Sequence, residues 1–181
     1  MGRITSDLRA DYAVNTRLLD RASVTVFRIN QAAERSRFRL VLKPIAKVVD
    51  AVWLQLIIGA ELPGTIRCGP GLRLPHAGRG IVLSGNCTIG SDVTIYHRVT
   101  LGQSDPDSQN VPSVGDGVSL GAGATVLGKV SLGAHARIGA GAVVTKNIPA
   151  FAVAVGVPAR INADAQPQLR SASALPVEGR S

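Results

Sequence analysis

The sequence predicts a mainly β fold, a parallel β-helix of hexapeptide repeats that carries a short α-helical appendage at its amino-terminal end. Three observations support this prediction. An aliphatic residue returns at every sixth position from residue 114 to residue 144. Glycine precedes many of the turns between these positions. The chain is 45% hydrophobic but only 3% aromatic and holds 20 glycines, a composition that suits an aliphatic core with many tight turns.

A period of six residues suits neither an α-helix, which repeats every 3.6 residues, nor a long alternating strand. A chain that turns a corner every six residues satisfies it, and three such short strands make one triangular coil of a stacked β-helix. The aliphatic positions are Val114, Leu120, Val126, Leu132, Ile138 and Val144. The small or aliphatic residues four places later are Val118, Ala124, Val130, Ala136, Ala142 and Ile148. An earlier block keeps the same spacing at Leu83, Ile89, Ile95 and Leu101.

The amino-terminal part of the chain is predicted to be helical. Residues 17–42 lack glycine and proline and carry apolar residues at helical spacing. Proline removes a backbone donor, so Lys43-Pro44 is expected to end this helix. A second helix is predicted from Ile45 to about Ile58, ending at Gly59. The predicted organisation is a helical segment (1–58), a β-helix domain (59–161) with a loop insertion (102–113), and a disordered tail (162–181).

The net charge of +8 is concentrated in the helical segment, which holds ten basic and five acidic residues. No nucleic-acid recognition motif accompanies it, so no nucleic-acid partner is expected. Residues 48–60 are apolar but include Asp50 and are too short to span a bilayer. A packed helix is expected there, with weak peripheral membrane contact as the alternative. The first residues lack the apolar run of a signal peptide, so a cytoplasmic protein is expected.

The two cysteines, Cys68 and Cys87, fall at inward positions of the repeat. They belong to no CxxC motif and no cysteine–histidine cluster, so no metal site is predicted. Buried thiols in a reducing compartment are expected.

The final coils, LGAGATVLGKVSLGAHARIGAGAVVTKNIPAFAVAVGVPARI, resemble the end of the hexapeptide-repeat acyltransferases, which have a left-handed β-helix. The order ELPGTIRCGPGLRLPHAGRGIVL, DVTIYHRVTLG and VPSVGDGVSLGAGA is similar to the serine O-acetyltransferase branch of that family. This branch includes small enzymes of the colanic-acid type that acetylate exopolysaccharide sugars. The resemblance covers about residues 55–161. It implies acetyl-CoA as co-substrate, no metal, and a homotrimer or multiple of trimers with active sites between subunits.

The resemblance also implies the catalytic residues. Transfer of an acetyl group from a thioester to a hydroxyl needs a base that removes the hydroxyl proton, and histidine suits this role. The histidine of LPHAGRG, His76, matches the family's general base. Glu61 matches the acidic residue that orients it, although amino-acid-acetylating members favour aspartate there. No nucleophile motif suggests an acyl-enzyme, so direct transfer is expected.

Further residues are predicted to bind the two substrates. His97 is predicted either to help to bind the acceptor or to pack, and Arg79 and Arg98 are candidates to hold an acceptor carboxylate. The resemblance implies that acetyl-CoA lies along small-residue corners with basic residues beyond them. These positions are Gly121, Ala122, Ala140, Gly141, Lys146 and Arg160. His135 is expected at the surface.

The acceptor is predicted to be a sugar of an exopolysaccharide precursor. The family's serine enzymes carry Asp before the histidine and Arg-His-Pro in the insertion, whereas this chain has Pro75 and Asn110-Val111-Pro112. A binding site that lacks these charged partners recognises a zwitterionic amino acid such as serine less well. L-Serine is the alternative acceptor, as in cysteine biosynthesis. A remote alternative is a non-catalytic β-helix scaffold with zinc between subunits, for which His76, His97 and His135 are the available histidines.

Overall fold

A computed structural model describes residues 2–105 and 109–162 of the chain. Its helical part comes first, and the stacked coils follow. None of the helices in these residues is long and apolar enough to cross a membrane. Most of the predicted tail lies outside the described residues. The helices are α1 (Gly2–Val14), α2 (Leu18–Arg35) and α3 (Arg39–Asp50), and α3 continues as a π-helical segment (Ala51–Ile58).

The predicted helix break at Lys43-Pro44 is wrong. The chain leaves the helical conformation at Ser36–Phe38 instead, and Pro44 lies inside α3. A proline within a helix leaves the carbonyl four residues earlier without its usual donor. That carbonyl belongs to Leu40, a residue that is 88% exposed, so water can satisfy it.

Within the described residues, thirteen short strands form three sheets, which are the three faces of a triangular prism. All of these pairs except the last are parallel, and each parallel pair joins strands that lie one coil apart. The first face holds β1 (Arg67–Cys68), β3 (Thr88–Ile89), β6 (Ser113–Val114) and β9 (Ser131–Leu132). The second holds β4 (Thr94–Ile95), β7 (Ser119–Leu120), β10 (Arg137–Ile138), β12 (Val153–Val155) and an antiparallel β13 (Arg160–Ile161). The third holds β2 (Val82–Leu83), β5 (Thr100–Gly102), β8 (Thr125–Leu127) and β11 (Val143–Val144).

The residues of the six-residue repeat fill the interior of the prism. All six predicted aliphatic positions are at most 4% exposed, and the small or aliphatic residues four places later are also buried. The register explains this stacking, because Leu101 pairs with Val126 on one face and Ile138 pairs with Leu120 on another. The same inward side chain therefore recurs in neighbouring coils, and the predicted parallel β-helix is confirmed.

Side chains of α1, of α2 and of Asn15, which follows α1, cover the open edge of the first coil. An uncovered edge would leave backbone donors and acceptors without partners. Asp11 accepts a hydrogen bond from the Leu72 amide at 2.9 Å, and Asn15 accepts one from the Leu74 amide at 3.0 Å. Asn15 also donates to the Leu72 carbonyl at 2.7 Å, and Gln31 donates to the Ile66 carbonyl at 2.9 Å. These side chains make the hydrogen bonds that a neighbouring strand would otherwise make with the first coil. The helices and the coils therefore form one unit.

Arg28 lies at the centre of this polar cover. Its side chain is 1% exposed and makes two hydrogen bonds to the carboxylate of Asp11, at 2.8 and 3.1 Å. It also donates to the carbonyls of Cys68 and Gly69 at 3.1 and 2.6 Å. Burial alone would lower the pKa of the Arg28 guanidinium, but the hydrogen bonds and charge of Asp11 outweigh it and raise that pKa. Arg28 therefore stays charged and joins α1, α2 and the first coil.

Both thiols are buried and are predicted to be unreactive in the folded protein. Burial raises the pKa of Cys68 to about 12 and that of Cys87 to about 11. The thiolate is the reactive form, so at pH 8 only about one thiol in a thousand, or fewer, is ionised. A colorimetric disulfide reagent at pH 8 should detect no fast-reacting thiol in the native protein and two thiols after denaturation in urea. Fast native labelling of either cysteine would contradict the packing of the first coils.

Candidate active site

His76 lies in a short turn (Pro75–Gly78) that interrupts the first coil. Both His76 and Ala77 have left-handed backbone conformations, with φ of 59° and 60°. Residues with a Cβ avoid this region, so the turn needs support from outside. Asp20 of α2 provides it. Its buried carboxylate accepts a hydrogen bond from the Ala77 amide at 2.7 Å. The helical segment thereby fixes the backbone that presents His76.

His97 lies one coil above His76. The two imidazole rings meet edge to face, with centroids 5.1 Å apart and planes at 85°. His76 is exposed and His97 is partly buried. His97 Nδ1 is the single buried side-chain nitrogen or oxygen without a hydrogen-bond partner in the described part of the chain. Such an atom costs free energy unless a ligand uses it. The structure thus brings the two histidines together.

Two arginines flank this pair of histidines. Arg79 and Arg98 are neighbours across adjacent coils, since the Arg98 amide donates to the Arg79 carbonyl at 2.8 Å. Both side chains are exposed, and with the two histidines and Gly80 they line a cavity of about 420 Å³. Guanidinium groups bind carboxylates through paired hydrogen bonds. The cavity therefore offers two cations beside a possible base.

The predicted small-residue corners continue the same edge of the prism, here termed the histidine edge. The Gly123 amide donates to the His97 carbonyl at 3.0 Å. In the next coil, the Gly141 amide donates to the Ala122 carbonyl at 2.8 Å. Neighbouring strands lie about 4.8 Å apart, so the corner at Gly141 is about 10 Å above that of His97. The histidine edge consists of residues 76–80, 97–98, 121–123 and 140–141.

The upper part of the histidine edge carries no side chain larger than a methyl group. A Cβ on Gly121 would lie 2.6 Å from the Ala140 amide nitrogen, so the two corners stack with no room for a side chain between them. Ala140 and Gly141 are exposed, and a Cβ on Gly141 would meet nothing within 4 Å. An extended ligand can therefore lie against bare backbone above His97, which fits the pantetheine arm of a coenzyme A thioester.

The two predicted phosphate-binding cations lie at different places. Arg160 is exposed and pairs with Val155 in the last pair of strands, just before Gly156. The Gly156 carbonyl accepts from the Val143 amide, which follows the histidine edge, so Arg160 lies near its upper end. Lys146 is also exposed, but it follows β11 and lies at the opposite end of the third face. Of these two cations, only Arg160 lies near the histidine edge.

Glu61 is not joined to His76 in this structure. Its backbone forms a bridge with Val82 and its amide donates to the Ile81 carbonyl, which anchors it at the start of the third face. Its side chain is exposed and lines a cavity against the helical segment that also contains Lys43 and Lys47. Neither a hydrogen bond nor an ion pair connects Glu61 to His76 within the described residues. Its orienting role stays a prediction.

The remaining candidates lie away from the site. His135 is exposed and stacks on Phe151, with ring centroids 5.1 Å apart. No group of three histidine, cysteine, aspartate or glutamate side chains in the described ranges could hold a metal ion. Asp20 was not identified from the sequence, because the apolar spacing of an α-helix does not indicate which distant backbone amide a carboxylate will contact.

Comparison with known proteins identifies related chains. The family model of the bacterial transferase hexapeptide (six repeats) matches residues 112–146. A serine acetyltransferase of Mycobacterium tuberculosis is 43% identical over 119 residues, which cover 65% of this chain and 51% of the relative. A serine acetyltransferase of Helicobacter pylori is 36% identical over 135 residues, which cover 74% of this chain and 75% of the relative. The chain thus spans from about half to three quarters of the length of these relatives.

Solved structures share the fold. The crystal structure of a Neisseria gonorrhoeae serine acetyltransferase in complex with serine has a TM-score of 0.73 and 29% identity, covering 90% of this chain and 68% of that one. A serine acetyltransferase in complex with CoA has a TM-score of 0.71 and 27% identity, covering 89% and 68%. The fold of this chain is accordingly the left-handed β-helix of these enzymes, as predicted.

Proposed function

Since the chain belongs to the serine acetyltransferase family, we propose that it transfers the acetyl group of acetyl-CoA to the hydroxyl of L-serine. His76 acts as the general base. The observation that carries this proposal is the histidine edge, where His76 and His97 lie beneath a strip of bare backbone that suits a coenzyme A thioester. Acceptor and donor would meet at the two histidines.

The proposed step needs one base, and it replaces the carbon–sulfur bond of the thioester by a carbon–oxygen bond. His76 takes the proton of the acceptor hydroxyl while the oxygen attacks the thioester carbon. The new carbon–oxygen bond forms, the carbon–sulfur bond breaks, and the proton leaves with the CoA thiolate. His97 lines the same cavity as His76 and would bind the acceptor there. Holding both substrates on one edge replaces a collision in solution by an oriented encounter.

L-Serine is proposed as the acceptor because Arg79 and Arg98 line the histidine cavity and suit a carboxylate. This choice differs from the sugar acceptor predicted above. The serine acetyltransferase relatives favour L-serine over a sugar. A sugar hydroxyl is the second candidate. It is favoured by Pro75 and by residues 110–112, which carry no charge where the family's serine enzymes have charged side chains.

The acceptor can be identified by mass spectrometry of the product. The protein is offered acetyl-CoA with L-serine, with L-serine methyl ester, or with a panel of free and nucleotide-linked sugars. We expect acetylation of L-serine and at least tenfold slower reaction of the ester, which lacks the carboxylate charge. Arg79→Gln or Arg98→Gln should raise KM for serine, while the exposed Arg137→Gln should not. Acetylation of a sugar alone would instead establish the second candidate.

The proposal includes assembly and the remaining site residues. Homotrimers, or multiples of them, would put a neighbouring subunit beside the histidine edge and so enclose the thioester. Arg160 would meet its phosphates, whereas Lys146 would do so only from the far end of the third face. Glu61 would orient His76 only after its side chain turns away from the helix-side cavity.

Asp20 is predicted to be a positioning residue for His76. Asp20→Ala removes the acceptor of the Ala77 amide and frees the left-handed turn. We expect kcat to fall by about tenfold to a hundredfold, because small displacements of a catalytic group are costly. KM for acetyl-CoA should stay within about twofold, since the bare corners are untouched. Steady-state measurement of thiol release checks both values.

Asp20→Asn is the matched control, because its amide oxygen can still accept the Ala77 hydrogen bond. It should retain most of the wild-type kcat. If Asp20 contributed to folding alone, Asp20→Ala would have a lower melting temperature, but kcat would not fall while KM for acetyl-CoA stayed the same. Equal loss of kcat in both variants would show that charge, rather than the hydrogen bond to Ala77, is what matters.

A further inference from the structure

The outer side of α3 and its π-helical extension exposes a row of large apolar side chains. These residues, here termed the apolar stripe, are Phe38, Val41, Ile45, Val48, Val52 and Leu56. Each is more than half exposed, from 51% for Val52 to 80% for Leu56. Their spacing of three or four residues places them along one side of a helix. The stripe is a continuous surface rather than a scatter of single apolar residues.

Packing within the chain does not account for the apolar stripe. The side of α3 that faces α2 buries Ala46, and the π-helical segment buries Leu54 and Ile58. The six side chains of the apolar stripe therefore point away from the core. Together they expose on the order of 500 Å², which is in the upper range for the largest apolar patch on a monomeric protein. A patch of this size indicates an interaction surface.

Basic residues accompany the apolar stripe. Arg39, Lys43 and Lys47 follow one another at four-residue intervals along α3, and two further arginines, Arg35 and Arg37, precede the helix. Lys43 pairs with Glu34 at 2.9 Å. The other four cations form no ion pair within the described residues.

Three nearby carboxylates, Glu34, Asp50 and Glu61, compensate only part of the charge of these five cations. The carboxylate of Glu34 forms an ion pair with Lys43. Asp50 accepts hydrogen bonds from Asn30 at 2.6 Å and from Gln55 at 2.9 Å. The apolar stripe is therefore bordered by a surface of net positive charge, which is complementary to an anionic partner.

We propose that α3 and its π-helical extension bind the surface of an anionic lipid membrane. A helix with an apolar side and a lysine- and arginine-rich side lies in the membrane interface, where its apolar residues enter the acyl boundary and its cations meet lipid phosphates. No helix of the described residues can cross a membrane, so the contact is a surface contact. A symmetric pairing with a second copy would place like charges beside each other, which disfavours that occupant.

This proposal is independent of the proposed enzymatic function. No residue of the apolar stripe lines the cavity formed by the histidines and arginines. Variants of the stripe are therefore expected to leave turnover of acetyl-CoA in solution unchanged. Loss of membrane binding and loss of activity can be told apart by measuring both on the same protein preparation.

Co-sedimentation of the full chain with lipid vesicles tests the proposal. Vesicles of phosphatidylcholine alone are compared with vesicles of equal parts phosphatidylcholine and phosphatidylglycerol, at low and at high salt. We expect at least about tenfold more protein bound to the anionic vesicles at low salt and a marked decrease at high salt. Binding that is absent, or equal for both vesicle types, would overturn the proposal.

Two pairs of variants locate the surface. Val41→Gln combined with Val48→Gln removes apolar contacts, and Arg39→Gln combined with Lys47→Gln removes charge. Each pair should weaken binding to anionic vesicles by about tenfold or more. Matched controls are Leu18→Gln, an apolar residue 81% exposed on α2, and Lys129→Gln, an exposed residue of the β-helix. Neither control should alter binding.

Sedimentation velocity without lipid distinguishes the membrane from a subunit contact. The assembly mass of all variants should equal that of the wild type. A smaller assembly for the Val41 and Val48 variant would mean that the apolar stripe is an interface between copies of the chain, and would overturn the membrane proposal. Thermal unfolding confirms that each variant is folded, and the charge pair tests the proposal even if the apolar pair unfolds.

Discussion

Replacing His76 by alanine is expected to lower kcat for acetyl transfer by about 10²–10⁴-fold, the usual contribution of a general base. His76 is the exposed member of the histidine pair, and its turn is held by α2 through Asp20. KM for acetyl-CoA should change little, because the bare corners of the histidine edge remain. Steady-state release of the CoA thiol at saturating acceptor measures both parameters.

His135→Ala is the matched control for this prediction, since His135 is exposed on another part of the β-helix and stacks on Phe151. It should keep the wild-type kcat. If His76→Ala retained more than about a tenth of the wild-type kcat, His76 would not be the general base, and His97 would be the next residue to test.

Replacing Arg28 by alanine is expected to lower the free energy of unfolding by roughly 3–5 kcal/mol, the cost of breaking a buried ion pair by removing one partner. The substitution leaves the fully buried Asp11 carboxylate without its cation and the carbonyls of Cys68 and Gly69 without their donor. Urea unfolding followed by circular dichroism measures the loss. Arg28→Lys should fall between the wild type and alanine, because an ammonium cannot bind both carboxylate oxygens in the same planar fashion.

The exposed Arg137→Ala serves as the reference for this experiment, with an expected change within about 0.5 kcal/mol. A similar small change for Arg28→Ala would mean that the helices do not stabilise the first coil through this network. The double replacement Arg28→Met with Asp11→Leu should be less damaging than Arg28→Ala, because it leaves no unpaired buried charge.

The β-helix could be predicted because its interior imposes a strict rule on the sequence. Each face of a narrow prism turns a side chain inward at the same point of every coil, so the aliphatic residues Leu120, Val126 and Leu132 recur at equal spacing. The same arithmetic brings His97 above His76. His97 follows His76 by 21 positions, which are one coil of 18 positions plus the three extra positions of the His76 turn.

The polar cover of the first coil could not be predicted. Asp11, Asn15 and Arg28 bond to backbone groups of residues about 40 to 60 positions away, and a helical repeat contains no signal for such partners. The continuation of α3 through Pro44 was missed for a related reason. Local preference predicts a break, but packing of Ala46 against α2 and the exposure of Leu40 outweigh it.

The site was predictable in part. The corners at Gly121–Ala122 and Ala140–Gly141 lie on the same edge as His76, because residues at one place in the repeat share one edge of the prism. The side chain of Glu61 was not predictable in this way. The repeat fixes where its backbone lies but not the direction of a flexible, exposed carboxylate beside Lys43 and Lys47.

The central claim is that this chain catalyses direct transfer of an acetyl group to an acceptor hydroxyl at the histidine edge. It is tested most directly by ¹³C NMR with acetyl-CoA labelled at the carbonyl carbon, in the presence of the wild-type protein and L-serine. The thioester signal should be replaced by an oxygen-ester signal of the acceptor at the rate of thiol release, and His76→Ala should abolish the exchange. A thioester signal that persists with serine and with every sugar offered, or that converts only to free acetate, would contradict the account.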